Sequence, residues 1–112
     1  MFAAHNKLDN FTVIVDDNKM QAMGDSKDII DMQSMAKKWD AFGFHVVEID
    51  GHNHDQLEKA LKTVVKNKPV AVICNTIKGK GVSFIENNIA WHYSKLTEID
   101  RDRAIAELGG DM

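Results

Sequence analysis

Three apolar runs constrain this chain more than any other feature: residues 11–15, 45–49 and 70–77 are rich in Val and Ile and nearly continuous. A strand that alternates apolar with polar residues keeps one face in water. An unbroken run asks for cover on both faces, as the strands of a parallel sheet do. Between the first two runs, Met32, Met35, Trp39 and Phe42 recur at steps of three and four, which predicts a helix with one apolar stripe, ended at Gly43. Between the second and third, residues 55–67 repeat the design. Leu57, Ala60, Leu61, Val64 and Val65 form the apolar face, and Glu58, Lys59, Lys62 and Lys66 face water. Asn53 is the predicted N-cap, with Gln56 at capping-box spacing, and Lys68-Pro69 is the predicted stop. A third helix, residues 98–108, is predicted to start on Thr97 and close at Gly109-Gly110. Strands alternating with helices imply right-handed parallel crossovers, hence an α/β fold of about three parallel strands with flanking helices.

A chain of 112 residues is expected to make a single domain, residues 1–112. Three parallel strands of this size leave a sheet edge and apolar surface uncovered, so an oligomer or a complementary chain is the expected partner. A net charge of −3 gives no reason to expect nucleic acid or an anionic membrane. No apolar run approaches the roughly 20 residues that cross a bilayer. Met1-Phe2-Ala3-Ala4-His5 does not read as a secretory signal. The single cysteine, Cys74, lies in Val70-Ala71-Val72-Ile73-Cys74 and reads as a small buried apolar residue. It excludes an intrachain disulfide and suits a reducing compartment, so a cytoplasmic location is expected.

The polar residues that could carry chemistry cluster after the strands. Asp16-Asp17-Asn18-Lys19-Met20 follows the first run, and strand alternation sends Asp16 and Asp17 to opposite faces. By itself this is a solvated turn. Lys78-Gly79-Lys80-Gly81 offers glycine-freed N–H groups and positive charge to a phosphate, without the spacing of a P-loop. In Trp91-His92, an imidazole is a side-chain type that can donate to a phosphate oxygen and pass a proton. His52 and His54, two apart in a polar turn, lack a third metal ligand, and His45 sits in a strand. Met20, Met23, Met32 and Met35 read as packing residues.

Read together, several segments resemble transketolases: residues 8–18, 41–52, 75–84 and Trp91-His92, in that order. The similarity is to the amino-terminal, thiamine diphosphate-binding subunit of two-chain transketolases. It implies a partial thiamine diphosphate-binding fold related to ketol transfer between sugar phosphates. It further implies that the side chain of Asn18 and the carbonyl of Met20 contact Mg2+, an ion that takes six oxygens. By the same resemblance His92 lies over the cofactor diphosphate as a catalytic and binding residue. Two positions depart from the pattern: Asp17 stands where Tyr or Asn is usual, and Tyr93 where many transketolases have Gly. The family's Gly-Asp-Gly turn, which supplies the charged metal ligand, belongs upstream of the stretch where Met1 stands. Its activating glutamate lies on the pyrimidine-binding half. The expectation is therefore a fragment or subunit inactive alone, and the sequence leaves open whether it binds the cofactor unaided. The alternative is a non-catalytic, self-associating module on the same scaffold.

Overall fold

Val70, Ala71, Val72, Ile73 and Cys74 are all buried, at 4% exposure or less, which makes the third apolar run the middle of the sheet. In the computed structural model, which describes residues 1–109, the elements in chain order are α1 (Phe2–His5), β1 (Thr12–Asp17), β2 (Met20–Gln21), β3 (Gly24–Asp25), α2 (Ser26–Ile29), α3 (Met35–Ala41), β4 (His45–Asp50), α4 (His54–Leu61), β5 (Val70–Asn75), a 3-10 turn (Ile89–His92) and α5 (Glu98–Glu107). The chain divides into two compact units, one of Met1–Asp17 and Asp31–Thr76, the other of Asn18–Ile30 and the residues from Ile77 onward.

The first unit holds a parallel sheet of order β1-β5-β4. Thr12 and His45 both lie opposite Val70, and Asp17 and Asp50 both lie opposite Asn75, so the three strands run level. Beyond their ends, the Thr76 amide donates to the Asp17 carbonyl and the Thr76 hydroxyl donates to the Asp16 carboxylate. Ala60 and Leu57 of α4 pack on a cluster of Ile49, Val70, Val72 and Cys74. Burying Val70, Val72 and Ile73 stabilises the fold by about 1.5–3 kcal/mol for each side chain. Trp39 of α3 meets the ring of buried Phe44 edge-on at 4.9 Å, and Phe11 approaches the same ring at 6.5 Å. On β1 the exposed and half-buried residues alternate, and Ile14 remains 57% exposed.

The second unit contains the β2–β3 hairpin with α2, the loop after β5, the 3-10 turn and α5. α5 has a full capping box: the Thr97 side chain accepts from the Asp100 amide while Asp100 accepts from the Thr97 amide.

The α/β class, the three parallel strands and the Thr97 cap follow the sequence reading; Gly110 lies outside the described residues. Two helices are shorter than predicted. α3 begins at Met35 because the Ser34 side chain accepts from the Lys37 amide, which leaves Met32 outside the helix. α4 does start on Asn53, whose side chain accepts from the Gln56 amide, but it ends at Leu61. The Gln56 side chain turns to the Asp50 amide instead of closing a box. Past Leu61, the Thr63 hydroxyl donates to the Lys59 carbonyl, Asn67 takes φ +61°, and Val65 bridges to Lys68. Val64 is consequently 74% exposed rather than part of an apolar face.

Candidate functional site

The turn after β1 is shaped by one side chain. Asn18 accepts the Met20 amide on its Oδ1 at 2.9 Å, Lys19 takes φ +62° in between, and the Lys19 carbonyl accepts the Ser26 amide at 2.8 Å. Asn is suited to this because its short amide replaces a backbone partner two residues on. The bond holds Met20 at the start of the β2–β3 hairpin. An amide oxygen has a second lone pair, so Asn18 keeps acceptor capacity beyond the turn.

The loop after β5 supplies the opposite wall. Lys78 to Asn87 closes on itself through the Asn87 amide, which donates to the Lys78 carbonyl at 3.0 Å. Gly79 takes φ +69°, and a Cβ there would lie 2.5 Å from Ile85 Cγ2 and 2.9 Å from its carbonyl carbon, so only glycine lets the two backbones approach. Lys78-Gly79-Lys80-Gly81, only a weak phosphate cradle by its spacing, uses several backbone amides within the loop. The amides of Lys80 and Val82 donate to Ile77 and Gly79 carbonyls, and that of Gly81 to Glu86. Lys80 also pairs with Glu86 at 3.8 Å. The Lys78 side chain is what the loop offers.

Further along, the Asn88 side chain caps the 3-10 turn by accepting the Ala90 amide, and the turn ends on His92. The imidazole is exposed and stands edge-on to Tyr93 at 4.6 Å.

These pieces meet within the second unit. Asn18, Met20, Gln21, Lys78, Ile89 and His92 line one cavity of about 170 Å³. All three residues singled out in the sequence, Asn18, Met20 and His92, are thus brought together. Lys78 joins them, and Gln21 and Ile89 carried no signal in the sequence beyond their neighbours. The lining holds an ammonium and an imidazole and no carboxylate. Among the described residues no group of three or more His, Cys, Asp or Glu converges as a metal site. The donor set therefore fits an anion such as a diphosphate. It does not fit a free divalent cation, because Asn18 and the Met20 carbonyl are neutral and no carboxylate offsets the cation's desolvation. Asp16 is engaged by Thr76, and His52 and His54 lie in the first unit.

A larger open cavity of about 380 Å³ in the first unit is lined by residues of α3, β4 and Lys68. Nearby in that unit, Cys74 is buried, and burial first, then the Asp16 carboxylate, push its thiol pKa up. It is a packing residue, as read from the sequence. No helix among the described residues is long and apolar enough to cross a membrane.

Residues 1–111 match the family described as the transketolase thiamine diphosphate binding domain. The chain is 44% identical over 110 residues to the 6-deoxy-6-sulfo-D-fructose transketolase subunit of Clostridium sp. (strain MSTE9), covering 96% of this chain and 40% of that protein. It is 41% identical over 107 residues to an apulose-4-phosphate transketolase subunit of Actinobacillus succinogenes, covering 95% of this chain and 39% of that protein. The chain thus spans about two-fifths of the length of these relatives. Among solved structures, the transketolase of Campylobacter jejuni superposes with a TM-score of 0.86 at 31% identity, over 98% of this chain and 17% of that one.

Proposed function

The chain belongs to the transketolase family of thiamine diphosphate-binding domains, and on that premise we propose that it supplies the diphosphate-holding part of a ketol-transfer site that other protein segments complete. One observation carries this reading: Asn18, Met20, Lys78 and His92, distant in sequence, line a single cavity without a carboxylate.

Within that cavity Lys78 and His92 bind a diphosphate by donating to its oxygens, a charge-assisted contact about twice as strong as a neutral one. The ring nitrogens of His92 can also pass a proton, which suits it to a catalytic role beside the cofactor. Asn18 fixes the turn, and its remaining lone pair and the Met20 carbonyl would hold the metal that accompanies the diphosphate. A magnesium site needs a further charged oxygen ligand, which must come from outside residues 1–109. Thiamine diphosphate, when bound, supplies the electron sink that ketol transfer between sugar phosphates requires. This chain by itself is inactive in that reaction, and its partner is a complementary transketolase segment.

The test is a calorimetric titration of the purified chain with magnesium–thiamine diphosphate and, separately, inorganic pyrophosphate. Saturable binding of both is expected, weakened roughly tenfold or more in Lys78→Ala through loss of a charge-assisted hydrogen bond. Asn18→Ala is expected to weaken the magnesium complex more than pyrophosphate. No binding of either ligand at millimolar concentration overturns the reading.

A second reading, a non-catalytic self-associating module, is favoured by exposed apolar side chains: Ile14 at 57%, Leu96 at 59% and Ile99 at 80%. It calls for assembly at micromolar concentration in sedimentation without any ligand binding.

A further inference from the structure

α5 ends in a carboxylate that reaches back to the loop. Glu107 accepts both the Ser83 amide and, at 2.9 Å, the Ser83 hydroxyl. Arg103, one turn earlier, donates from Nε to Glu107 Oε1 at 3.3 Å. The guanidinium of Arg103 also sits 4.4 Å over the ring of Phe84, the residue after Ser83. Phe84 in turn meets Trp91 edge-on at 5.3 Å. Trp91 belongs to the 3-10 turn whose Ile89 and His92 line the cavity, and Ser83 lies five residues after the cavity residue Lys78. A series of contacts therefore runs from the last turn of α5 to Ser83, within the loop that starts at Lys78, and to Trp91, the neighbour of His92, all within one unit.

We propose that Glu107 is a positioning residue for the cavity: by gripping Ser83 and Arg103 it sets the placement of the loop that carries Lys78 and His92. The proposal deepens the diphosphate-site reading and rests on it for the consequence at the ligand, but the placement itself is observable without ligand. A carboxylate is required because it alone accepts two donors from Ser83 and a third from the Arg103 guanidinium at once. The Glu107 pKa is held below the ordinary carboxylate range, first by the Ser83 amide and then by the Ser83 hydroxyl, as expected of an ionised acceptor in constant use. Arg103 works in two directions. It pairs with Glu107 and also lies over Phe84, whose ring meets Trp91.

The experiment is amide hydrogen exchange and imidazole NMR on the full chain, comparing wild type with Glu107→Ala, Glu107→Gln and Ser83→Ala. In Glu107→Ala, protection of the Trp91 amide, which bonds the Asn88 carbonyl, is expected to fall roughly two- to thirtyfold, and the His92 ring resonances to shift. Protection of Val72 and Ile73 in β5 stays unchanged. Glu107→Gln, which keeps one acceptor oxygen but turns the other into an NH2 donor and removes the charge, restores part of the effect, and a plain helix-end role would not distinguish the two variants. Ser83→Ala, which keeps the amide donor, gives a smaller change in the same resonances and serves if Glu107→Ala fails to fold. Unmoved Trp91 and His92 signals in all variants overturn the proposal. Magnesium–thiamine diphosphate added to wild type reports separately on the cavity. If it shifts neither Asn18 nor His92, the diphosphate reading fails while the positioning result stands by itself.

Discussion

Replacing Gly79 with alanine tests whether the loop that carries Lys78 depends on close backbone approach. Gly79 takes φ +69°, and the added methyl would lie 2.5 Å from Ile85 Cγ2, 2.9 Å from the Ile85 carbonyl carbon and 3.0 Å from its oxygen. Two of these atoms are backbone, and the Ile85 backbone is tied on both sides, its amide to Val82 and its carbonyl to the Asn88 amide. It cannot swing aside as a side-chain tip would. Gly109 supplies the control, because it takes a similar φ of +75° and a methyl there meets nothing within 4 Å among the described residues. Both substitutions incur the left-handed cost for an L-residue, about 1–2 kcal/mol. Lower unfolded-chain entropy returns about 0.4–1 kcal/mol of it. Only Gly79→Ala adds overpacking, about 1–3 kcal/mol. Gly79→Ala should therefore cost about 1–5 kcal/mol and Gly109→Ala about 0–1.6 kcal/mol. Urea unfolding followed by NMR reads the two units separately, since Trp39 lies in the first and Trp91 in the second. The Trp91 transition should move to lower urea in Gly79→Ala and by less in Gly109→Ala. If the two variants fall within about 0.5 kcal/mol of each other, the steric argument is wrong.

Two further expectations concern single groups. Asp100 is held below its ordinary pKa first by the Thr97 hydroxyl and then by the Thr97 amide, and Glu107 likewise by Ser83. Both folded values lie below the unfolded ones, so the stabilisation is complete above the ordinary carboxylate range and is lost as pH falls through that range and below it. Acid titration by NMR should show the Thr97 and Ser83 amides losing protection together with carboxyl protonation; loss beginning near neutral pH would contradict the assignment. Cys74 should react with a thiol reagent only as fast as the protein opens, while urea-unfolded chain reacts at once. Prompt labelling of native protein would mean that β5 is not the buried centre.

How far the sequence carried depends on which interactions local pattern can report. The three strands were legible because an unbroken Val/Ile run has few other homes, and β5, the most continuous, is the one buried along its length. The helix ends were less so. Leu57, Ala60, Leu61, Val64 and Val65 keep helical spacing past the point where the backbone leaves the helix, and periodicity cannot sense the Thr63 hydroxyl turning back on Lys59. Ser34 is a readable N-cap, but Met32 before it keeps the spacing of the stripe and so hides the boundary. The cavity was legible only through resemblance. Nothing in Asn18 and His92 taken alone says that they share a wall with Lys78, because the β2–β3 hairpin and the loop closure that bring them together are short, polar and aperiodic.

The order of the sheet has a consequence for the chain as it is made. β1 and β4 both leave the ribosome before β5, yet among the described residues they share no ladder, since each pairs with β5. At about 5–20 residues per second, β1 waits on the order of 3–12 seconds for Val70 and its successors to be synthesised. Over that interval Val13, Ile14 and Val15 have no native strand to meet, and a nascent chain ending short of Val70 has no parallel sheet at all.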